Sequence, residues 1–250
     1  MELLRRVENK IGWIGLNRPS MRNAISKTMW EELPSALAAL QKDGARVIVF
    51  EGEGEAFCAG ADLLELQALN SNAAARENWM AIRNALNTVA RLEVPTIAMI
   101  NGPCMGGGCL LACACDLRYC SSDARFSVPV AQLGILLDDD NIARLVSLIG
   151  RGFTAEMLFT AAPIDSRKAE LMGLVNAAVA DDELRTVVLT AANGIIRNVP
   201  AAIAKTKLRV NALSNLLFAE QDQTPMIESY LSDEFRSRVS KALLKNPSPD

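Results

Sequence analysis

An α/β fold with a mainly parallel sheet and a helical C-terminal region is what the sequence predicts, and three observations carry that reading. Apolar, β-branched segments at residues 46–51 and 94–100 read as strands buried on both faces. Amphipathic helical stretches alternate with such strands up to about residue 190, the pattern of a parallel core. Beyond that point the pattern is helical without strands. Half of the 250 residues are apolar, enough for one large domain, which divides into residues 1–195, the α/β core, and residues 196–250, a helical appendage.

In chain order, residues 11–16 form a short strand, closed by the turn signal Asn17-Arg18-Pro19-Ser20. Ser26 is placed as the N-cap of a helix to about Gln41, with Met29, Leu33, Leu37 and Leu40 on one face and Pro34 as a point of kinking. A strand at 46–51 turns at Gly52 and Gly54 into the segment 56–65. The asparagine-rich stretch 70–78 reads as mobile, and a helix from about Glu77 to Arg91 leads into the central strand 94–100. Behind it come Gly106-Gly107-Gly108 and a small, apolar run from 109 to 115, read as a buried helix. Glycines let a backbone approach a ligand, and a helix start offers unpaired N–H groups with partial positive charge, so an oxygen gaining negative charge would be stabilised at Gly107. A strand at 117–120 follows, then the acidic triplet Asp138-Asp139-Asp140 and a helix to about Gly150. From 153 onward helices are expected, with breaks near Pro163, at 173–181, near Pro200, around 222–225 and after Lys245.

Composition excludes several classes of function. The chain has no histidine, which removes every Ser–His and Cys–His nucleophile scheme and leaves acid–base work to carboxylates, Lys, Tyr, Cys or water. Five of its six cysteines fall between 104 and 120 in apolar surroundings, the pattern of buried free thiols rather than disulfides or a metal site. A net charge of −3 with scattered Lys and Arg gives no nucleic-acid footprint. No apolar run reaches the roughly 18–20 residues of a bilayer span, and the charged first ten residues do not read as a signal peptide. A cytoplasmic protein is the expectation.

The ordered set Asn17-Arg18-Pro19, Arg22-Asn23-Ala24, the run 56–63 (Ala-Phe-Cys-Ala-Gly-Ala-Asp-Leu), residues 95–102, Gly106-Gly107-Gly108-Cys109, Cys115-Asp116, Ala124-Arg125-Phe126 and Leu133-Gly134 resembles the crotonase superfamily, the enoyl-CoA hydratase/isomerase family. The resemblance runs from about residue 10 to the end. It implies a ClpP/crotonase-like spiral of ββα units, a C-terminal helical trimerisation region, trimers or pairs of trimers, and acyl-CoA thioester substrates, with no permanently bound cofactor. It also places the backbone N–H groups of Ala61 and Gly107 on the thioester carbonyl oxygen. Two such donors are worth roughly 3 kcal/mol each when that oxygen becomes an enolate. By the same likeness coenzyme A lies along Arg22, Ala24, Ala59, Ala61, Asp62 and Leu63, with Arg22 as a phosphate partner.

This chain departs from the pattern at the two glutamates that activate water in the family's hydratases. Those positions fall on Leu110 and Val130, whose aliphatic side chains move no protons. Asp138 matches the position of a catalytic aspartate in the family's isomerases and a nucleophilic one in its dehalogenases. Asp139 and Asp140 read as helix N-terminal acids, and that is the competing reading of Asp138. Glu65 is a weaker candidate for reaching the pocket; Cys104, Met105 and Trp79 are expected to line it, and nothing places Tyr119 or Tyr230 there. The expected activity is enoyl- or dienoyl-CoA isomerisation with Asp138 as acid/base. Decarboxylation, hydrolysis or dehalogenation on the same oxyanion hole, and a non-catalytic acyl-CoA scaffold, are the alternatives. Apolar positions Ile203, Leu208, Leu213, Leu216 and Leu217 are expected to bury against neighbouring subunits or the core. The tail at 243–245 lacks the family's Phe and Lys-Arg pattern for coenzyme A.

Overall fold

In the computed structural model, which describes residues 1–214 and 224–245, six strands form one sheet in the order β1-β2-β3-β4-β6-β9. These are Leu3–Glu8 (β1), Ile11–Leu16 (β2), Val47–Gly52 (β3), Thr96–Ile100 (β4), Leu117–Ser121 (β6) and Ala177–Val179 (β9). Every neighbouring pair is parallel except the first, a hairpin whose two turn residues, Asn9 and Lys10, have φ of 52° and 66°. A second sheet joins β5 (Pro103–Met105), β7 (Arg125–Ser127) and β8 (Ile164–Asp165).

The sheet is buried on both sides, which is why its strands read as continuous apolar runs. Ile14, Leu16, Ile48, Phe50, Ala98 and Ile100 face one way, onto Leu33, Leu37 and Leu40 of α1 (Lys27–Lys42) and onto α4 (Gly107–Ala114). The alternate residues Trp13, Val47, Val49 and Ile97 face the other way, onto Leu184, Val188 and Ala192 of α8 (Leu184–Arg197). A two-residue period thus sorts each strand between two helical layers. Helix α1 starts at the expected cap, where the Ser26 hydroxyl accepts the Met29 N–H, and runs unbroken through Pro34.

Several expectations are corrected. The stretch 70–78 is not a mobile loop: α3 (Asn72–Arg91) begins there, capped by the Ser71 hydroxyl on the Ala74 N–H. The N-terminal segment, expected only as a charged start, is the strand β1, and β8 and β9 stand at two of the breaks expected between helices. The expected end of a helix near Gly150 does hold: within α6 (Asp139–Thr160) that residue has φ of 70° and ψ of 167°, which are not helical, so two helical pieces meet at a kink there. The remaining helices are α2 (Leu63–Gln67), α5 (Val130–Leu133), α7 (Ser166–Leu171), α9 (Pro200–Ser214), α10 (Thr224–Ser229) and α11 (Asp233–Lys245). Helix α10 packs on α3, and α11 on α2 and α5, so the C-terminal helices fold back over the core. On α9, Ile203 is half-buried and Leu208 is 71 % exposed; Leu216, Leu217 and the break at 222–223 lie outside the described residues. No single helix among the described residues is long and apolar enough to cross a membrane.

All six cysteines are buried free thiols. Burial pushes the thiols of Cys58, Cys115 and Cys120 up to about 12. Thiolate at pH 8 is then about one part in ten thousand, too little for nucleophilic work. Native protein treated with a disulfide reagent at pH 8 is expected to release no thiolate rapidly, and to release six equivalents only after denaturation. Fast release of one equivalent from native protein would contradict this burial.

Candidate active site

Three backbone segments lie side by side where β2, β3 and β4 end. The Ile25 N–H donates to Gly60 O at 2.8 Å, and the Asp62 N–H to Ile25 O at 3.2 Å. The Cys58 N–H donates to Pro103 O at 3.0 Å, and the Met105 N–H returns to Cys58 O at 2.8 Å. Gly60 and Gly106 face each other across this ladder, with φ of 117° and 48°. It is these positive φ values that suit a residue without a side chain, since a Cβ on Gly106 would stand at an ordinary 3.6 Å from Gly60 Cα. After each glycine the next amide is turned out of the ladder: Ala61 on one side, Gly107 at the head of α4 on the other. Neither N–H has an acceptor among the described residues. They are close together, since a side-chain carbon on Gly107 would lie 3.6 Å from Ala61 N. The trait that matters in both residues is the main chain.

These amides border a cavity of about 250 Å³. Its walls are Trp30 from α1, Leu63 and Leu66 from α2, Trp79 and Ile82 from α3, Leu110 from α4, Val130 and Leu133 from α5, and Leu137. Leu110 and Val130 both line it, so the positions the resemblance gives to hydratase glutamates are here part of an apolar wall. Asp138 also lines it, 7 % exposed, and is the one charged group among the described lining residues. The same aspartate caps α6. Its Oδ1 accepts the Asn141 N–H at 2.9 Å and its Oδ2 accepts Asn141 Nδ2–H at 2.9 Å. Cap and cavity wall are therefore not competing readings; one carboxylate is both.

Other expectations resolve differently. Trp79 lines the cavity, whereas Cys104 and Met105 do not: they sit in β5 behind the amide ladder, and Cys104 is fully buried. Glu65 is turned away, accepting the Lys27 N–H at 2.6 Å. Tyr119 faces the opposite layer of the sheet. Tyr230, by contrast, enters the cavity from α11's neighbouring turn, together with Asn141 and Gln132. Burial, and then the negative charge of Asp138, push its phenol well above the ordinary range, so it stays protonated as a donor. No local motif marks Tyr230; the sole hint is that the chain has two tyrosines.

Of the residues expected along coenzyme A, Ala59, Ala61 and Leu63 border the cavity mouth. Arg22 is exposed in a left-handed turn with φ 48°. Ala24 is buried, and the Asp62 carboxylate is turned inward: it caps α2 at Leu64 N (3.0 Å) and pairs with Arg18 Nη2 at 2.9 Å. A larger hollow of about 850 Å³ lies between α3, α6 and α9, lined by Arg91, Arg144 and the Lys207–Asp116 pair (2.7 Å). Neither Ala61 nor Gly107 lines it, so chemistry and not size points to the smaller cavity. Among the described residues no group of His, Cys, Asp and Glu could hold a metal ion.

The family model described as enoyl-CoA hydratase/isomerase matches residues 6–240. The chain belongs to the enoyl-CoA hydratase/isomerase family. A peroxisomal Delta(3,5)-Delta(2,4)-dienoyl-CoA isomerase from Arabidopsis thaliana is 31 % identical, covering 98 % of this chain and 94 % of its own length. A short-chain-enoyl-CoA hydratase from Clostridium acetobutylicum is 34 % identical over 82 % of this chain and 78 % of its own. A solved methylmalonyl-CoA decarboxylase in complex with 2-nitronate-propionyl-CoA superposes with a TM-score of 0.88 at 25 % identity, covering 100 % and 98 % of the two chains. The crotonase fold of this enoyl-CoA hydratase/isomerase family member, and its place in CoA-linked fatty acid metabolism, follow from these likenesses. Isomerase, hydratase and decarboxylase are all represented, so the cavity itself must speak for the reaction.

Proposed function

We propose that this family member isomerises the double bonds of an enoyl- or dienoyl-CoA. Ala61 and Gly107 N–H groups hold the thioester oxygen as it takes on enolate charge. The Asp138 carboxylate takes a proton from one carbon of the chain and returns it to another, so the double bond moves and no atom is lost. The observation that carries this reading is that Asp138 is the one charged group among the described residues lining the cavity beside the two free amides. Two-glutamate hydration has no side chains to run it, with Leu110 and Val130 in the wall. Coenzyme A would follow the cavity mouth past Ala59, Ala61 and Leu63, with the exposed Arg22 as the phosphate partner and Ala24 and Asp62 shaping that edge from within. The division at residues 195 and 196 would separate this acyl-CoA-binding core from an oligomerisation region, in trimers or pairs of trimers, of a cytoplasmic enzyme. The exposed Leu208 on α9 supports that self-association.

The test is incubation with a 3-enoyl-CoA in deuterated water. Expected are conversion to the conjugated 2-enoyl ester, seen by its absorbance, and deuterium at the γ-carbon, where the proton is delivered after exchange with solvent. Neither conversion nor exchange would reject the reading. The decarboxylase-like neighbour favours a second reading, because loss of CO₂ creates the enolate without a base. Carbon dioxide released from a malonyl-type ester, with no isomerase turnover, would select it. Tight binding of CoA esters with no turnover of any would leave the scaffold role.

A further inference from the structure

Two oxygen groups in the cavity have complementary chemistry: the Asp138 carboxylate, an acceptor, and the Tyr230 phenol, a donor. The phenol sits on the turn after α10, its ring edge-on to Phe235 with centroids 5.7 Å apart and packed among Trp79, Ala75 and Ile227. That packing fixes the ring while its oxygen has no hydrogen-bond partner among the described residues. Asp138 and Tyr230 line the same cavity, yet no hydrogen bond joins them. Each Asp138 oxygen accepts one bond from Asn141 and keeps a further lone pair. In the open cavity water can serve both groups. An acyl chain that fills the space removes that water and leaves a largely apolar wall, in which the Asp138 carboxylate is the one charged acceptor for the phenol among the described residues.

We propose that Tyr230 is a positioning residue for Asp138: once an acyl chain displaces water, its O–H donates to the carboxylate and holds it, charged, toward the chain. The inference rests on the acid/base reading of Asp138. The surroundings leave this role open to Tyr230. On α6, Arg144 Nη1 donates to Asn141 Oδ1 at 2.9 Å and so acts on Asp138 through the amide, while Asp139 and Asp140 lie in the same turn. Arg83 of α3 is taken by Asp140 at 2.9 Å, and Glu65 of α2 by the Lys27 N–H. Helix α11 contributes Ala242, α5 the neutral Gln132, and α4 only Leu110. Glu234 of α11 is paired with Arg238.

A donor to the charged form lowers a carboxyl's proton affinity, so removing it raises that affinity. In Tyr230→Phe the acid limb of the kcat profile for 3-enoyl-CoA isomerisation is expected to move up by about one pH unit, with KM little changed. A merely structural role would lower kcat equally at all pH values; that result, or an unmoved limb, overturns the proposal. A second readout does not need turnover. The chain has two tyrosines, so ¹³C-tyrosine labelling gives two ring signals, assigned by Tyr119→Phe. With saturated butyryl-CoA bound, the Tyr230 signal is expected to follow an acidic titration that vanishes in Asp138→Asn. A flat Tyr230 signal with butyryl-CoA bound overturns the coupling even if isomerase activity is present. A coupled signal in a protein without isomerase turnover upholds it while rejecting the isomerase reading. Failure to bind butyryl-CoA rejects both.

Discussion

Asp138→Asn is expected to lower isomerase turnover by about 10²–10⁴-fold, the usual share of a positioned acid–base group. Affinity for CoA esters should stay close to that of the parent. The substitution is informative because the residue does two jobs. As an N-cap, asparagine serves as well as aspartate: its Oδ1 can still accept the Asn141 N–H, now 2.9 Å from the carboxylate. The second bond, from Asn141 Nδ2 to Oδ2, is lost unless the Asn141 amide turns over, which would release Arg144. That loss is worth about 1 kcal/mol, a fall in Tm of roughly 2–4 °C. Turnover and Tm thus separate: the first collapses while the second barely moves. Asp138→Ala, by contrast, removes cap and carboxylate together and should lower both. A turnover loss below about tenfold in Asp138→Asn would remove the proton shuttle from the scheme.

The two faces of that residue explain what sequence could and could not reveal. Capping is a local relation, legible because an acid precedes a helical pattern by one position. Lining a cavity is a tertiary relation. It depends on α2, α3 and α10 meeting above the start of α6, and nothing near residue 138 encodes that. Tyr230 lies at the same limit: only the fold-back of α10 and α11 onto α3 and α2 brings it to the glycine amides. The central strands were legible because they are buried on both faces, so Ile48 and Phe50 on one side and Val47 and Val49 on the other leave no polar gap. Strand β1 was hidden for the opposite reason. It is an edge strand, and Arg5 and Arg6 interrupt its apolar pattern, Arg6 lying over the Trp13 ring at 4.8 Å and pairing with Glu51. The start of α3 was lost in asparagines, although Ser71 was the cap signal. Strands β8 and β9 are too short for any period to show.

Gly107→Pro is expected to reduce kcat by about 10²–10³-fold, because it deletes one of the two donors on the enolate oxygen. Position 107 is the first residue of α4, where proline is tolerated: the lost N–H belongs to no intrahelical bond. The preceding Gly106 has ψ of −119°, outside the helical region that a following proline ring disfavours. The ring does crowd Trp30, whose Cζ2 would stand 3.2 Å from a Cβ at this site. Gly107→Ala supplies that same contact while keeping the N–H, and so isolates the amide from the crowding. The alanine variant is expected to retain most of the activity and the proline variant to lose it, at similar Tm. Binding of the saturated ester should weaken far less than turnover, since a neutral carbonyl draws less on the donor than an enolate does. If the alanine and proline variants fell together, the Trp30 contact would account for the loss. The Gly107 amide would then have no part in the chemistry, whichever proton Asp138 moves.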